Sequence, residues 1–183
     1  MRLFIAYRLP EQALDTIAAW QSRALTGVAS LRVVPRGNLH VTLAFLGSRS
    51  RTDVPRIAAI LESRVHEAPE PAFRLDRYWE TTRVGMLELR DDLVAGDSCA
   101  FRGSALTGAV MLDLEAAGLY RREYRAWRPH VTVARFKTPP GLAPERPALA
   151  PFQPTAVALF ESVTGPDGSV YHALEEAQWR RLP

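Results

Sequence analysis

The stretch His40-Val-Thr-Leu-Ala-Phe-Leu-Gly47 is the most informative part of the chain, because its opening tripeptide occurs a second time as His130-Val131-Thr132. Each copy begins an apolar run, and the copies lie 90 residues apart in a chain of 183, one in each half. The chain has only four histidines. Randomly placed threonines would give two of them a threonine two positions later in roughly 2% of such sequences. The repeat therefore indicates two duplicated halves that share one site.

Alternation along a strand places the histidine and the threonine of each copy on the same side. Residues i and i+2 of a β-strand point to one face and lie about 7 Å apart. His40 is therefore expected to project with Thr42, and His130 with Thr132, while the valine between them points to the opposite layer. If an approximate twofold axis relates the two halves, two imidazoles and two hydroxyls converge on one cleft.

These four groups suit in-line phosphoryl transfer. One histidine would deprotonate an attacking water, and the other would protonate the leaving oxygen on the opposite side of phosphorus. The threonine hydroxyls would donate hydrogen bonds to the non-bridging oxygens, where transition-state charge is spread. Histidine fits both roles because its ordinary pKa of about 6.5 lets the acid and base forms coexist near neutrality. We therefore expect acid–base catalysis with no metal and no other cofactor.

Apolar periodicity and breaker residues predict elements in the order β-α-β-α-β-β, followed by α-β-β-β. Strands are expected over residues 2–9, 39–46, 71–78, 83–90, 130–136, 155–163 and 169–174. Helices are expected over residues 11–25, from 52–55 onwards, and from Asp97 or Ser98 to about Ala117. Residues 138–154 contain six prolines, which predicts a surface excursion.

This order predicts an α+β fold. We expect residues 1–183 to form a single bilobal domain with a duplicated fold, in which two mostly antiparallel sheets form a central cleft and the helices pack outside. Hydrophobic residues at 47% and charged residues at 23% are ordinary values for a globular protein. The net charge of +3 is compatible with an anionic ligand, but it does not by itself indicate nucleic-acid binding.

Two features bear on the compartment of the protein. Cys99 is the only cysteine, which excludes an internal disulfide and fits a reducing environment. The apolar run of residues 3–7 is closed by Arg8 and is too short for a signal peptide or a membrane span. We therefore expect a cytoplasmic protein that does not associate with a membrane.

The segments 40–47 and Arg128-Pro-His-Val-Thr-Val-Ala-Arg135 closely resemble the paired His-x-Thr-x motifs of the two-histidine (2H) phosphoesterases. Within that superfamily the chain is similar to the RNA 2′,3′-cyclic phosphodiesterases, formerly called 2′-5′ RNA ligases. The resemblance implies a bilobal fold and metal-free hydrolysis of a 2′,3′-cyclic phosphate to a 2′-phosphomonoester. It also implies that His40 donates a proton to the departing 3′ oxygen and that His130 accepts one from water.

Further candidates surround the two motifs. Arg135 has odd parity relative to His130, so an ideal strand would point it away from the cleft. The resemblance and a bulge at the strand end would make it a phosphate or RNA contact. Arg128 and Arg36, each near a motif, are weaker candidates. Three aromatic residues could stack on a base, although core packing is favoured for the first: Phe45, Trp127 and Tyr7.

The expected partners are an RNA or oligonucleotide with a 2′,3′-cyclic phosphate end and small cyclic nucleotides, bound by a monomer. Ligation through a 2′-5′ linkage is the reverse reaction, and we expect it only as a side activity because water at about 55 M favours hydrolysis. A non-catalytic nucleotide- or RNA-binding module that uses the same cleft is the alternative. Retention of both histidines and both threonines argues against it, since binding phosphate needs donors but no acid/base pair.

Overall fold

A computed structural model describes residues 1–91, 105–121, 123, 126–166 and 168–179 of the chain. Up to residue 91 the elements are β1 (Arg2–Arg8), α1 (Glu11–Ala24), β2 (Leu31–Val33), β3 (His40–Ser48), α2 (Val54–Glu67), β4 (Phe73–Glu80) and β5 (Val84–Asp91). The remaining described elements are α3 (Ala105–Ala116), β6 (His130–Phe136), β7 (Ala156–Gly165) and β8 (Gly168–Ala177).

The predicted elements are found within a few residues of their expected bounds, with one addition. Strand β2 was not predicted, because it is only three residues long. It lies between Ser30, whose φ is positive at 61°, and the segment leading to Pro35. The predicted start of α3 at Asp97 or Ser98 lies outside the described residues. Its end agrees with the prediction, since Gly118 follows with a positive φ of 71°.

All strand pairs are antiparallel, and the strand order is β4-β5-β6-β3-β1-β7-β8, with β2 pairing beside β6. The α+β class with an antiparallel sheet is therefore confirmed. The two predicted sheets are joined into one, because β3 and β6 meet at the centre through the single register pair Val41–Val131. The two motif-bearing strands are thus direct neighbours that run in opposite directions.

Strands β3 and β6 repeat the same irregularity. Leu43 has no register partner on β1, and Val133 has none on β5, so each is the extra residue of a β-bulge. From the histidine onwards, both strands show the same sequence of buried and accessible positions over seven residues. The duplication inferred from two tripeptides therefore extends to the backbone shape of both strands.

The face opposite the histidines is covered by the helices. Val41 and Val131 are fully buried and belong to one apolar cluster with Ile17 of α1, Ile57 of α2 and Val110 of α3. Residues 138–154 contain no helix or strand, as predicted for the proline-rich stretch, but the expected surface excursion is anchored at Phe152, which is buried and forms an isolated β-bridge with Phe73. Among the described helices none is long and apolar enough to cross a membrane.

Candidate active site

Both His-x-Thr motifs lie on the open face of the sheet, at its centre. Because Val41 is paired with Val131 in antiparallel register, the same register places His40 beside Thr132 and Thr42 beside His130. The local twofold axis therefore passes between the two valines. By this register the four predicted side chains lie on the same face around the central pair, and His130 is close enough to His40 to lower the pKa of that imidazole.

The backbone fixes both imidazoles in the same way. Nδ1 of His40 lies 2.7 Å from the carbonyl oxygen of Asn38, and Nδ1 of His130 lies 2.8 Å from that of Arg128. A carbonyl oxygen only accepts, so Nδ1 carries the hydrogen in both rings. Nε2 is therefore the nitrogen that can exchange a proton with a ligand. Nε2 of His40 lies 3.1 Å from the hydroxyl of Thr42.

His40 lies against a group of aromatic rings. Its ring centroid is 5.0 Å from that of Phe4, 5.4 Å from that of Tyr171 and 6.4 Å from that of Phe160. Burial among these rings lowers the pKa of His40 to about 4, and the positive charges of His130 and Arg135 contribute in the same direction. At neutral pH the ligand-free protein therefore holds His40 in its neutral form.

Arg135 points into the site because of the bulge at Val133. The extra residue reverses the alternation, so Arg135 is exposed on the same face as His130 and Thr132. It is also close enough to lower the pKa of His40. An ideal strand would point Arg135 away from the cleft, and that expectation is wrong. The alternative, a bulge that turns Arg135 towards the cleft, is the one found in the structure.

Sequence reasoning missed a second guanidinium beside the first. Arg32 on β2 is the register partner of Arg135. The two arginines line a small cavity of about 30 Å³ together with Asn38, Ser169 and Tyr171. Only the pairing of β2 with β6 could reveal this neighbour, because Arg32 lies in a segment too short to predict as a strand.

The aromatic candidates have three different positions. Phe45 corresponds to Arg135 in the duplicated pattern and is 62% exposed, so the preference for core packing was wrong. Tyr7 is fully buried and its hydroxyl lies 2.8 Å from that of Thr107, which excludes it from stacking on a ligand. Trp127 is half-buried and donates from Nε1 to the carbonyl of Thr42 at 2.9 Å, so it ties one motif to the other.

The remaining polar candidates divide between the site and the outer surface. Arg36 pairs with Glu11 and Asp15 along α1 and does not reach the histidines. Arg128 lies beside β5, within 3.8 Å of a carboxylate oxygen of Glu88. Among the described residues no group of three or more histidine, cysteine, aspartate or glutamate side chains is arranged to hold a metal ion.

The two histidines outside the motifs lie elsewhere. His66 is exposed in the last turn of α2 and lines a cavity of about 370 Å³ between this helix and the end of β8. His172 is exposed on β8. The cavity beside His66 is thus larger than the one next to the paired motifs, and it contains neither motif.

The arrangement combines two imidazoles and several hydrogen-bond donors on one open face. Two imidazoles that present Nε2 from adjacent antiparallel strands can act on opposite sides of a bound group. The hydroxyls of Thr42 and Thr132 and the guanidinium of Arg135 can meet the oxygens of an anion between them. These groups are the ones that acid–base chemistry on a phosphate ester requires.

Two relatives resemble nearly the whole chain. An RNA 2′,3′-cyclic phosphodiesterase of Thermus thermophilus is 28% identical over 193 residues, which cover 98% of this chain and 91% of that protein. A protein of the same description from Methanocaldococcus jannaschii is 22% identical, over 96% of this chain and 99% of that one.

Solved structures agree in fold. The protein TT0787 of Thermus thermophilus superposes with a TM-score of 0.78 at 26% identity and covers 97% of both chains. LigT of E. coli in its apo form shares the fold with a TM-score of 0.72 over 98% of both chains, at 23% identity. The family model of the 2′-5′ RNA ligase superfamily matches residues 9–165. This match covers most of the chain and agrees with the paired motifs on β3 and β6, so the protein belongs to the 2′-5′ RNA ligase superfamily.

Proposed function

We propose that this protein is an enzyme that hydrolyses the 2′,3′-cyclic phosphate ends of RNA to 2′-phosphomonoesters, without a metal ion, by paired-histidine acid–base catalysis. The observation that supports the proposal is the central β3–β6 pair, on which backbone carbonyls orient the imidazoles of both motifs towards the same open face. The description of the Thermus and Methanocaldococcus relatives as RNA 2′,3′-cyclic phosphodiesterases supports the substrate class.

The roles follow the family pattern. His130 accepts a proton from the attacking water, and His40 donates one to the departing 3′ oxygen. His40 is neutral at pH 7 in the free protein, because burial lowers its pKa to about 4. It can therefore donate only after an anionic phosphate is bound beside it, since a neighbouring negative charge raises the pKa of an imidazole. Binding of the substrate thus favours protonation of His40 and also positions the ester.

Thr42 and Thr132 donate hydrogen bonds to the non-bridging oxygens, and Arg135 supplies the positive charge that draws the phosphate into the site. Arg32 stands beside Arg135 as its register partner on β2. These groups are fixed by the strands, so little reorganisation is needed when charge develops on the phosphate.

The base of the terminal nucleotide stacks on the aromatic side of the site. Phe45 is exposed and its ring lies 6.1 Å from that of Phe4, which in turn is stacked on Phe160 at 5.1 Å. Stacking on an aromatic ring tolerates any base. We therefore expect the terminal base to affect turnover less than the cyclic phosphate does.

The test is the hydrolysis of a nucleoside 2′,3′-cyclic phosphate in the presence of a chelator. His40→Ala and His130→Ala should each lower kcat by about 10²–10⁴-fold, the usual contribution of a positioned acid or base. His66→Ala, which removes an exposed histidine from α2, is the matched control and should retain full activity. The wild type should show a bell-shaped pH dependence of kcat/KM. Undiminished turnover in either motif variant would overturn the assignment.

Two other activities of the same cleft are separated by this experiment. Nucleotide binding without turnover by the wild type would favour the non-catalytic binding module. Joining of two RNA ends through a 2′-5′ linkage would be a side activity that requires the second end to be well bound. We further propose that the protein acts as a monomer in the cytoplasm and accepts small cyclic nucleotides as well as RNA ends.

A further inference from the structure

The open face continues beyond the histidines towards β4, and its character changes there. Across the sheet, His130 on β6 is paired with Glu88 on β5, and Glu88 is paired with Arg77 on β4. The neighbouring row runs from Thr132 through Met86 to Trp79. Residues directly opposite each other in antiparallel strands point to the same face. The side chains of Arg77 and Trp79 are therefore on the same face as the catalytic groups.

Trp79 is an exposed aromatic ring flanked by two cations. It is 39% exposed, and the guanidinium carbons of Arg77 and Arg128 lie 5.8 Å and 5.9 Å from its ring centroid. About half of each arginine side chain is accessible, 51% for Arg77 and 55% for Arg128. An exposed ring beside accessible guanidinium groups can stack a base and meet a phosphate at the same time.

A buried carboxylate holds these cations in place. Glu88 is 2% exposed, and its Oε2 accepts a hydrogen bond from Nε of Arg77 at 2.7 Å. Its Oε1 has no hydrogen-bond partner among the described residues and lies 3.8 Å from Nη1 of Arg128. Asp76 also acts on Arg77 and is itself paired with Arg90 at 3.0 Å, so three guanidinium groups face two carboxylates and a net positive charge remains. Glu88 thus positions both arginines and still leaves them able to bind an anion.

The distance to the reaction centre fits a neighbouring nucleotide. Trp79 lies two strands from Thr132, which is about 10 Å at the usual strand spacing. The aromatic rings around His40 lie on the opposite side of the motifs, on β1, β7 and β8. A nucleotide bound at Trp79 would therefore be separated from the terminal base by the reacting phosphate and ribose.

We propose that Trp79, Arg77 and Arg128 form a second nucleotide subsite, which binds the residue preceding the terminal one in an RNA chain. The inference rests on the proposed function and makes an oligonucleotide end the preferred substrate over a free cyclic nucleotide. The base stacks on Trp79, and the phosphate that links the two nucleotides is held by the flanking guanidinium groups.

The test is a binding measurement that does not depend on turnover. A tetranucleotide ending in a 2′-phosphate and the corresponding nucleoside 2′-phosphate are titrated into the protein by calorimetry. Trp79→Ala should weaken binding of the tetranucleotide about tenfold more than binding of the nucleotide, because base stacking on an aromatic side chain is lost. Trp79→Phe should restore most of the difference. Circular dichroism verifies that both variants are folded.

The arginines are tested through the salt dependence of tetranucleotide binding. Arg128→Gln should reduce the slope of log Kd against log salt by about 0.7, the value for one phosphate contact on a single strand. Arg51→Gln, which removes an exposed arginine before α2, is the charge-matched control and should keep the wild-type slope.

Equal loss of affinity for both ligands in Trp79→Ala, or no loss in either, would overturn the subsite. Failure of the proposed function would be seen separately. In that case the wild type would not hydrolyse a cyclic phosphate, whatever the binding ratio.

Discussion

At the scale of single residues, the two histidines are equivalent in sequence and different in surroundings. Each hydrogen-bonds through Nδ1 to the carbonyl two positions before it. His40 is packed among three aromatic rings, which lower its pKa to about 4. A pair of titratable groups in unlike environments is the usual basis for separate acid and base roles. The two tripeptides are identical in sequence, but the aromatic rings around His40 give it different surroundings from those of His130.

Burial of a neutral His40 makes folding depend on pH. The unfolded chain binds a proton at His40 below about pH 6.5, whereas the folded protein, in which the pKa is lowered, does so only below about pH 4. Stability is therefore lost as the pH falls through this window, by about 3 kcal/mol in the free energy of unfolding. His40→Gln should remove this loss in urea unfolding measured at several pH values, whereas the exposed-site variant His66→Gln should not. An unchanged pH dependence in His40→Gln would contradict the assigned burial.

At the scale of elements, the bulges in β3 and β6 decide which side chains reach the site. Simple alternation predicts His40, Thr42 and their counterparts correctly, because these residues precede the bulge. It fails for Phe45 and Arg135, which follow it. The bulge at Val133 is stabilised from outside the strand, since the buried Gln21 of α1 donates to the carbonyls of Val133 at 2.8 Å and Val34 at 3.0 Å.

Removal of this support should be costly. Gln21→Met keeps the side-chain volume but leaves the carbonyls of Val34 and Val133 without the amide donor, so the free energy of unfolding should fall by about 1–3 kcal/mol. Because Arg135 owes its direction to the bulge, kcat/KM should fall as well. Gln12→Met, on the exposed side of the same helix, is the matched control. A Gln21→Met protein as stable and active as this control would contradict the role of the bulge.

At the level of the whole molecule, the order of strands in the sheet brings together side chains that are far apart in the sequence. The paired motifs, the α+β class and most elements could be predicted, because they depend on local periodicity and on an exact repeat. The position of Arg32 beside Arg135 could not, nor could that of Trp79 near His130. Both require the pairing of strands distant in the chain, and strand pairing leaves little trace in one sequence. The accessible side chains of these strands make the two sides of the site chemically different.

In the proposed reaction, paired histidines on one sheet face open a cyclic phosphate at the bond to the 3′ oxygen. The most direct measurement is product analysis by phosphorus NMR after the wild-type protein has acted on adenosine 2′,3′-cyclic phosphate in chelator. If His40 protonates the 3′ oxygen while His130 activates water, as proposed, adenosine 2′-phosphate should be the single product. Formation of the 3′-phosphate, or the absence of turnover in chelator, would contradict it.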